Sequence, residues 1–134
     1  MNRKKLISAV QAICGSMGYE FRALDSSALS SGCQQMPAAV LIQPKFQSIE
    51  GRNHGRITYQ TTLYLFKPGS RLSPAEQSEL LAQMEEDMLE IFSKLSENKS
   101  VALVDKLQME HSMHSMLGRG EIGLKANAEV EIIF

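Results

Sequence analysis

The basic side chains of one glycine-containing segment are the first candidates for chemistry. Arg52, His54 and Arg56 lie within residues 50–56, and Arg119 lies in a second glycine-containing turn. Arginine pairs well with phosphate oxygens, so these loops could contact DNA or a partner protein. A solvated hairpin tip is the simpler interpretation, because connecting loops run over the surface. No aromatic residue stands among these cations, which argues against stacking on single-stranded bases.

The histidines and clustered carboxylates form no recognisable catalytic or metal-binding pattern. His111 and His114 are three residues apart near a predicted strand, where odd separations point to opposite faces. Four acidic residues surround the apolar stripe of a predicted helix, as on a solvated face. They are Glu85, Glu86, Asp87 and Glu90. The chain lacks nucleophile-elbow, P-loop and dinucleotide-binding motifs, so we expect no enzyme activity, no cofactor and no metal site.

Cysteine usage and the N-terminal segment favour a reducing compartment. Cys14 and Cys33 form no CxxC pair, and Cys14 falls on the apolar stripe of the first predicted helix. The basic start resembles a signal peptide, but Gln11 interrupts the apolar run that follows it. No apolar run approaches the ~20 residues that span a bilayer. We expect a cytoplasmic protein without a membrane segment.

Composition predicts one globular domain over residues 1–134. Hydrophobic residues make up 43% of the chain and charged residues 22%, which is typical of a packed core and not of a disordered tail. A chain of 134 residues can bury about two-thirds of its surface, enough for one core. The net charge of −1 lacks the basic excess of a dedicated nucleic-acid-binding module.

Two amphipathic helices are predicted. The first covers residues 2–17, with Gly18 as the left-handed residue that ends it. The second covers residues 73–95 and begins with a capping box formed by Ser73 and Glu76. Its apolar residues recur at spacings of three and four. They are Leu80, Leu81, Met84, Met88, Ile91, Phe92 and Leu95.

Strand patterns predict two β-hairpins, over residues 38–66 and residues 101–134. The last strand alternates apolar and polar residues as far as Phe134. Its polar face carries Lys125, Asn127, Glu129 and Glu131. Tyr19 and Phe21 are interpreted as apolar anchors after the first helix, and the Ser-rich residues 25–35 as a loop.

These elements predict an α+β fold in the order α-β-β-α-β-β. Both helices would pack on one face of a four-stranded, mainly antiparallel sheet, and the other face would be mostly polar. The edge strands of such a sheet are unpaired, so each edge can pair with a neighbouring subunit. A head-to-tail contact of this kind closes into a ring when the rotation permits.

The arrangement resembles the phage tail terminator and tail completion family, whose members also act at head–tail joints. The resemblance covers nearly the whole chain and rests on the two helices and the two hairpins above. It implies a non-enzymatic structural subunit that assembles as a homo-oligomeric, hexameric ring at the end of a tail tube. It also implies tail tube or head-completion proteins as partners, and a location in the host cytoplasm and the virion of a phage or prophage.

The same resemblance suggests roles for the polar residues. Lys125, Asn127, Glu129 and Glu131 would face a wet central channel, and the basic loop residues would reach the tube, a neighbouring subunit or passing DNA. The alternative function is a small ferredoxin-like regulatory or ligand-binding module, which needs a concave apolar pocket. An enzyme is the third interpretation, although no nucleophile–base pair can be named for it. An enclosed pocket without a ring-forming edge would favour the alternative.

Overall fold

One mixed sheet and two helices make up the described part of the chain. The computed structural model describes residues 2–25, 35–51, 54–69, 71–112 and 120–134. Their elements are α1 (Asn2–Ser16), β1 (Glu20–Leu24), β2 (Ala38–Glu50), β3 (Arg56–Pro68), α2 (Pro74–Ser96), β4 (Val101–Ser112) and β5 (Glu121–Ile133). The strand order is β1-β2-β3-β5-β4. β1 pairs with β2 in parallel, and the other neighbouring strands are antiparallel.

The predicted α+β class with two helices is confirmed, but the predicted four-stranded sheet is wrong by one strand. Tyr19 and Phe21 do pack on the core as predicted, but Phe21 also belongs to a strand, β1, where it lies opposite Ala39 of β2. β1 is only five residues long and its partner is a parallel strand. A strand this short has too few residues to show a period, and its pairing is set by a distant segment.

The end of α1 directs the chain into β1. Gly18 has a φ of +87°, as predicted for the residue after the helix. The Tyr19 N–H donates to the Cys14 carbonyl at 3.1 Å, and the Gly18 N–H donates to the Gly15 carbonyl at 3.2 Å. These two bonds are those of a Schellman motif, which satisfies carbonyls that the helix leaves free.

The capping box at the start of α2 is confirmed. The Ser73 hydroxyl accepts from the Glu76 N–H at 3.2 Å, and a Glu76 carboxylate oxygen accepts from the Ser73 N–H at 3.1 Å. Pro74 occupies the first turn, where its missing N–H costs nothing. Within the described ranges, neither helix combines the length and the apolarity needed to cross a membrane.

The main core lies between both helices and one face of the sheet. The helices contribute Leu6, Val10, Cys14, Met84, Met88, Ile91, Phe92 and Leu95. The strands contribute larger residues such as Leu63 and Leu65, and small ones such as Ala126 and Ala128. The small side chains leave room for the helices to lie close to β5. The predicted apolar stripe of the second helix is therefore the stripe that packs on the sheet.

The opposite face of the sheet is called the open face below. It carries alternate residues 56–66 of β3 and 123–133 of β5, together with the residues paired with them on β2 and β4. The prediction that this face is mostly polar fails at the end near β1. There Val40 and Phe66 are fully buried in a second apolar cluster, and Tyr64 stacks on Phe66 with ring centroids 5.7 Å apart.

Candidate assembly surface

The polar residues of β5 lie side by side on the open face. In the register of the sheet, Lys125 is opposite Tyr64 of β3 and Asn127 is opposite Thr62. Glu129 and Glu131 continue the row towards the end of β5, opposite residues 60 and 58. Strand alternation alone produces this row, since residues separated by two share a face.

Contacts within the chain already engage most of this row. The Thr62 hydroxyl donates to the side-chain oxygen of Asn127 at 2.7 Å. Glu129 accepts from Lys106 Nζ at 3.3 Å and from the Gln47 side chain at 3.2 Å. The Lys125 ammonium lies 5.9 Å from the centre of the Tyr64 ring. Away from the apolar cluster near β1, the open face is therefore a polar surface of mixed charge whose side chains contact one another.

One of the predicted basic contact residues belongs to the same network. Arg56 Nη1 lies 3.5 Å from Oε2 of Glu131, which is otherwise without a hydrogen-bond partner. His54 is exposed just before β3. Arg52 and Arg119 lie outside the described residues. The structure thus joins Arg56 to the row on β5, and half of the predicted basic set can be placed.

The strongest unpartnered feature is one stretch of β2. β1 pairs only with residues 38–42, so residues 45–50 form a sheet edge that no strand of the described chain covers. We call it the free β2 edge. All of its side chains are exposed, including Phe46 at 56% and Ile49 at 55%. Exposed apolar residues on an unpaired edge favour pairing with another strand.

The opposite edge of the sheet, β4, has a different character. Its register with β5 shifts twice, between residues 101 and 103 and between residues 105 and 108. Lys106 has a φ of +54°, and its N–H is held by the Asp105 carboxylate at 2.9 Å. Bulges and charged side chains disfavour the pairing of an edge strand with a strand of another molecule. The two sheet edges are therefore chemically unlike.

No protein-family model matches this chain, and no curated protein matches it either.

A buried tyrosine, a carboxylate and a lysine meet on the helix side of the sheet. The Tyr19 hydroxyl donates to Asp87 Oδ2 at 2.6 Å, and Lys67 Nζ lies 3.6 Å from the same oxygen. Burial raises the pKa of Tyr19, and the hydrogen bond to the Asp87 carboxylate and its charge raise that pKa further. The phenol therefore stays protonated and acts as a fixed donor that ties α2 to the start of β1.

The histidines and cysteines considered from the sequence are only partly within the described residues. Among the described residues no group of three or more His, Cys, Asp or Glu side chains could hold a metal ion. His111 lies in β4, and His114 and Cys33 lie outside the described residues. Burial raises the pKa of the Cys14 thiol to about 12, so this cysteine behaves as a small apolar core residue.

Two depressions in the described surface are open and partly polar. One of about 360 Å³ lies beside Lys67 and Asp87. Another of about 330 Å³ lies on the open face beside Lys106, Asn127 and Glu129. Neither has the enclosed apolar walls that hold a small ligand.

Sequence reasoning missed the free β2 edge for two reasons. The strand continues through Pro44, although a proline favours the end of a strand. The register shifts on both sides of Phe46, so the apolar residues Phe46 and Ile49 are three apart and break the alternation. That spacing of three is the only local sign of the edge, and in the sequence it would equally indicate an irregular loop.

Proposed function

We propose that this chain is a non-enzymatic structural protein of a phage or prophage tail, which caps or joins the tail tube as a ring-forming subunit. The arrangement of two helices on one face of the sheet agrees with what the family resemblance implies. The additional strand β1 departs from it but leaves both predicted hairpins in place.

This proposal rests mainly on the difference between the free β2 edge and the β4 edge. A head-to-tail contact joins two different surfaces, one from each subunit, and it closes into a ring when the rotation permits. The free β2 edge offers exposed apolar side chains and an unpaired strand backbone. The β4 edge, where bulges and charge disfavour strand pairing, offers instead the side chain of Leu103, which is 45% exposed and lies opposite Glu131. Two different edges on one small subunit meet the requirement of a head-to-tail contact.

The open face supports the channel-lining part of the proposal. Lys125, Asn127, Glu129 and Glu131 are half-buried and held by neighbouring side chains. Such a surface is ordered and hydrated, as the wall of a wet channel needs. Its mixed charge gives DNA little electrostatic attraction. Any contact with DNA would therefore depend on the basic residues Arg52, His54, Arg56 and Arg119.

The oligomeric state tests the ring. Light scattering coupled to size-exclusion chromatography should give a mass several times that of one subunit, and negative-stain electron microscopy should show rings. Leu103→Lys on β4 should weaken the ring, whereas Leu89→Lys, at a comparably exposed position on α2, should leave it intact. A strict monomer at every concentration, or equal effects of the two variants, would contradict the proposal.

A further inference from the structure

We propose that the free β2 edge pairs with the same edge of a second copy of this chain, antiparallel and about a two-fold axis between Gln47 and Ser48. In this register Lys45 lies opposite Glu50 of the second copy, and Phe46 lies opposite Ile49. The two sheets then form one continuous sheet. Each pair therefore joins residues of matching chemistry, opposite charges in one case and apolar side chains in the other. The two residues of each pair also face the same side of the sheet.

The side that each residue faces follows from the register shift between Phe46 and Ser48, where Gln47 is the extra residue of a β-bulge in β2. Phe46 is opposite Tyr59 and Ile49 is opposite Ile57, so both point to the helix side. Lys45 is opposite Gln60 and Glu50 is opposite Arg56, so both point to the open face. Without the bulge, residues 45 and 50 would face opposite sides. Directly opposed residues in antiparallel strands must share a side, and the bulge supplies this match for both pairs.

The chemistry of the two pairs is favourable. Opposite charges and apolar pairs directly across neighbouring strands stabilise a sheet. The two-fold axis repeats each pair, so the contact contains two Lys45–Glu50 pairs and two Phe46–Ile49 pairs. Phe46 and Ile49 are each more than half exposed in the single subunit. Pairing would remove part of that apolar surface from water.

The stretch also has defined ends. Pro44 has no N–H to donate to a new strand, and β1 already occupies residues 38–42. Gly51 has a φ of +88° and begins the turn to β3. The contact is therefore short. Interfaces below about 1,200 Å² are commonly transient, so we expect a dimer that depends on protein concentration.

This inference does not rest on the proposed function, although both use the free β2 edge. An edge accepts one partner strand, so a subunit paired in this way cannot offer the same edge to a ring neighbour. If both proposals hold, the two-fold dimer and the ring compete for free subunits. The β4 residue Leu103 takes no part in the two-fold contact, so Leu103→Lys separates the two assemblies.

Charge reversal tests the pairing. Lys45→Glu places two carboxylates opposite each other, and Glu50→Lys places two ammonium groups opposite each other. Each variant alone should weaken dimerisation by about tenfold or more in sedimentation velocity. An equimolar mixture of the two should form dimers with one copy of each, because every opposed pair is then of opposite charge. Native mass spectrometry with one variant isotopically labelled identifies these mixed dimers.

The double variant Lys45→Glu/Glu50→Lys restores complementarity and should dimerise as the unaltered protein does. Lys5→Glu on α1 and Glu97→Lys at the residue that follows α2 make the same charge changes at exposed positions and should not alter dimerisation. Circular dichroism checks that each variant is folded. The inference is overturned if the unaltered protein stays monomeric at every concentration, if the single variants dimerise equally well, or if the mixture forms no mixed dimers.

Discussion

Arg56 Nη1 lies 3.5 Å from Glu131 Oε2, across the central pair of strands on the open face. The sequence assigns these two residues to different roles, one to a basic contact loop and the other to a channel-facing strand. Their pairing means that neither is free to act alone. A partner that binds Arg56 would have to replace the interaction that Glu131 now receives.

The Arg56–Glu131 pair should contribute modestly to stability. In a double-mutant cycle with Arg56→Gln and Glu131→Gln, we expect a coupling of about 0.2–1 kcal/mol, because the arginine side chain is 60% exposed and water screens the pair. Arg56→Gln should cost more than Glu131→Gln, since it leaves a buried carboxylate oxygen without its cation. Urea unfolding gives the free energy of unfolding of the unaltered protein, the two single variants and the double variant. The pair Lys94 and Glu90 on α2 serves as an exposed control, and a coupling above that range would contradict this account.

Removal of one oxygen should weaken the link between α2 and the start of β1. Tyr19→Phe deletes the donor to Asp87 while keeping the buried ring. The expected loss is about 1.5–3 kcal/mol in the free energy of unfolding, the range for a hydrogen bond to a charged group. Denaturant titration checks the value. An unchanged free energy of unfolding would mean that water replaces the phenol at Asp87 without cost.

The same variant should reveal a dependence on pH. Burial first, and then Asp87, hold the pKa of Tyr19 above its ordinary value of 10.0. The folded protein therefore keeps a proton that the unfolded chain loses, so this contribution to stability is complete below pH 10 and declines as the pH rises above it. Tyr19→Phe lacks the contribution. The difference in unfolding free energy between the two proteins should narrow above pH 10, and a constant difference would contradict the assignment.

The Cys14 thiol should resist modification in the folded protein. Burial raises its pKa from 9.0 to about 12, which lowers the thiolate fraction near neutral pH by on the order of 10³. In a Cys33→Ala background, labelling by a thiol reagent should be slow until denaturant unfolds the chain. Rapid labelling under native conditions would show that the C-terminal end of α1 opens readily.

Adjacent residues on α2 should differ sharply in their sensitivity to truncation. Met88 is fully buried against the sheet, whereas Leu89 is 51% exposed on the outer side of the helix. Met88→Ala should cost about 2–5 kcal/mol, the range for a buried large-to-alanine change. Leu89→Ala should lie within about 0.5 kcal/mol of the unaltered protein. Thermal or urea unfolding compares them, and equal losses would mean that Leu89 is covered in solution.

Local signals account for the parts of the fold that the sequence predicts well. The capping box of Ser73 and Glu76 and the glycine at position 18 fix helix ends by contacts within a few residues. The alternation along β5 from Leu124 to Ile133 reflects one buried and one more exposed face. Such signals need no knowledge of distant partners, and the predicted boundaries there lie within about two residues of the observed ones.

The missed features depend on distant partners instead. β1 is a strand because residues 38–42 lie beside it, and nothing within residues 20–24 specifies that neighbour. The bulge that turns Phe46 and Ile49 to one side depends on the register with β3. The pairing of Arg56 with Glu131 joins residues that lie far apart in the chain. Sequence patterns identify several of these residues as candidates, but only the assembled sheet shows which of them contact each other.

The placement of β5 between β3 and β4 has a consequence for how the molecule folds. Each hairpin, β2–β3 and β4–β5, can form through its own short connection. Neither hairpin contains the pairing of β3 with β5, which joins the two hairpins. Pairing of β3 with β5 brings together residues 56–68 and 121–133, and it accounts for most of the loop-closure entropy that the sheet loses on folding. Docking of the two preformed hairpins should therefore limit the folding rate, with α2 acting as the tether that holds them within reach.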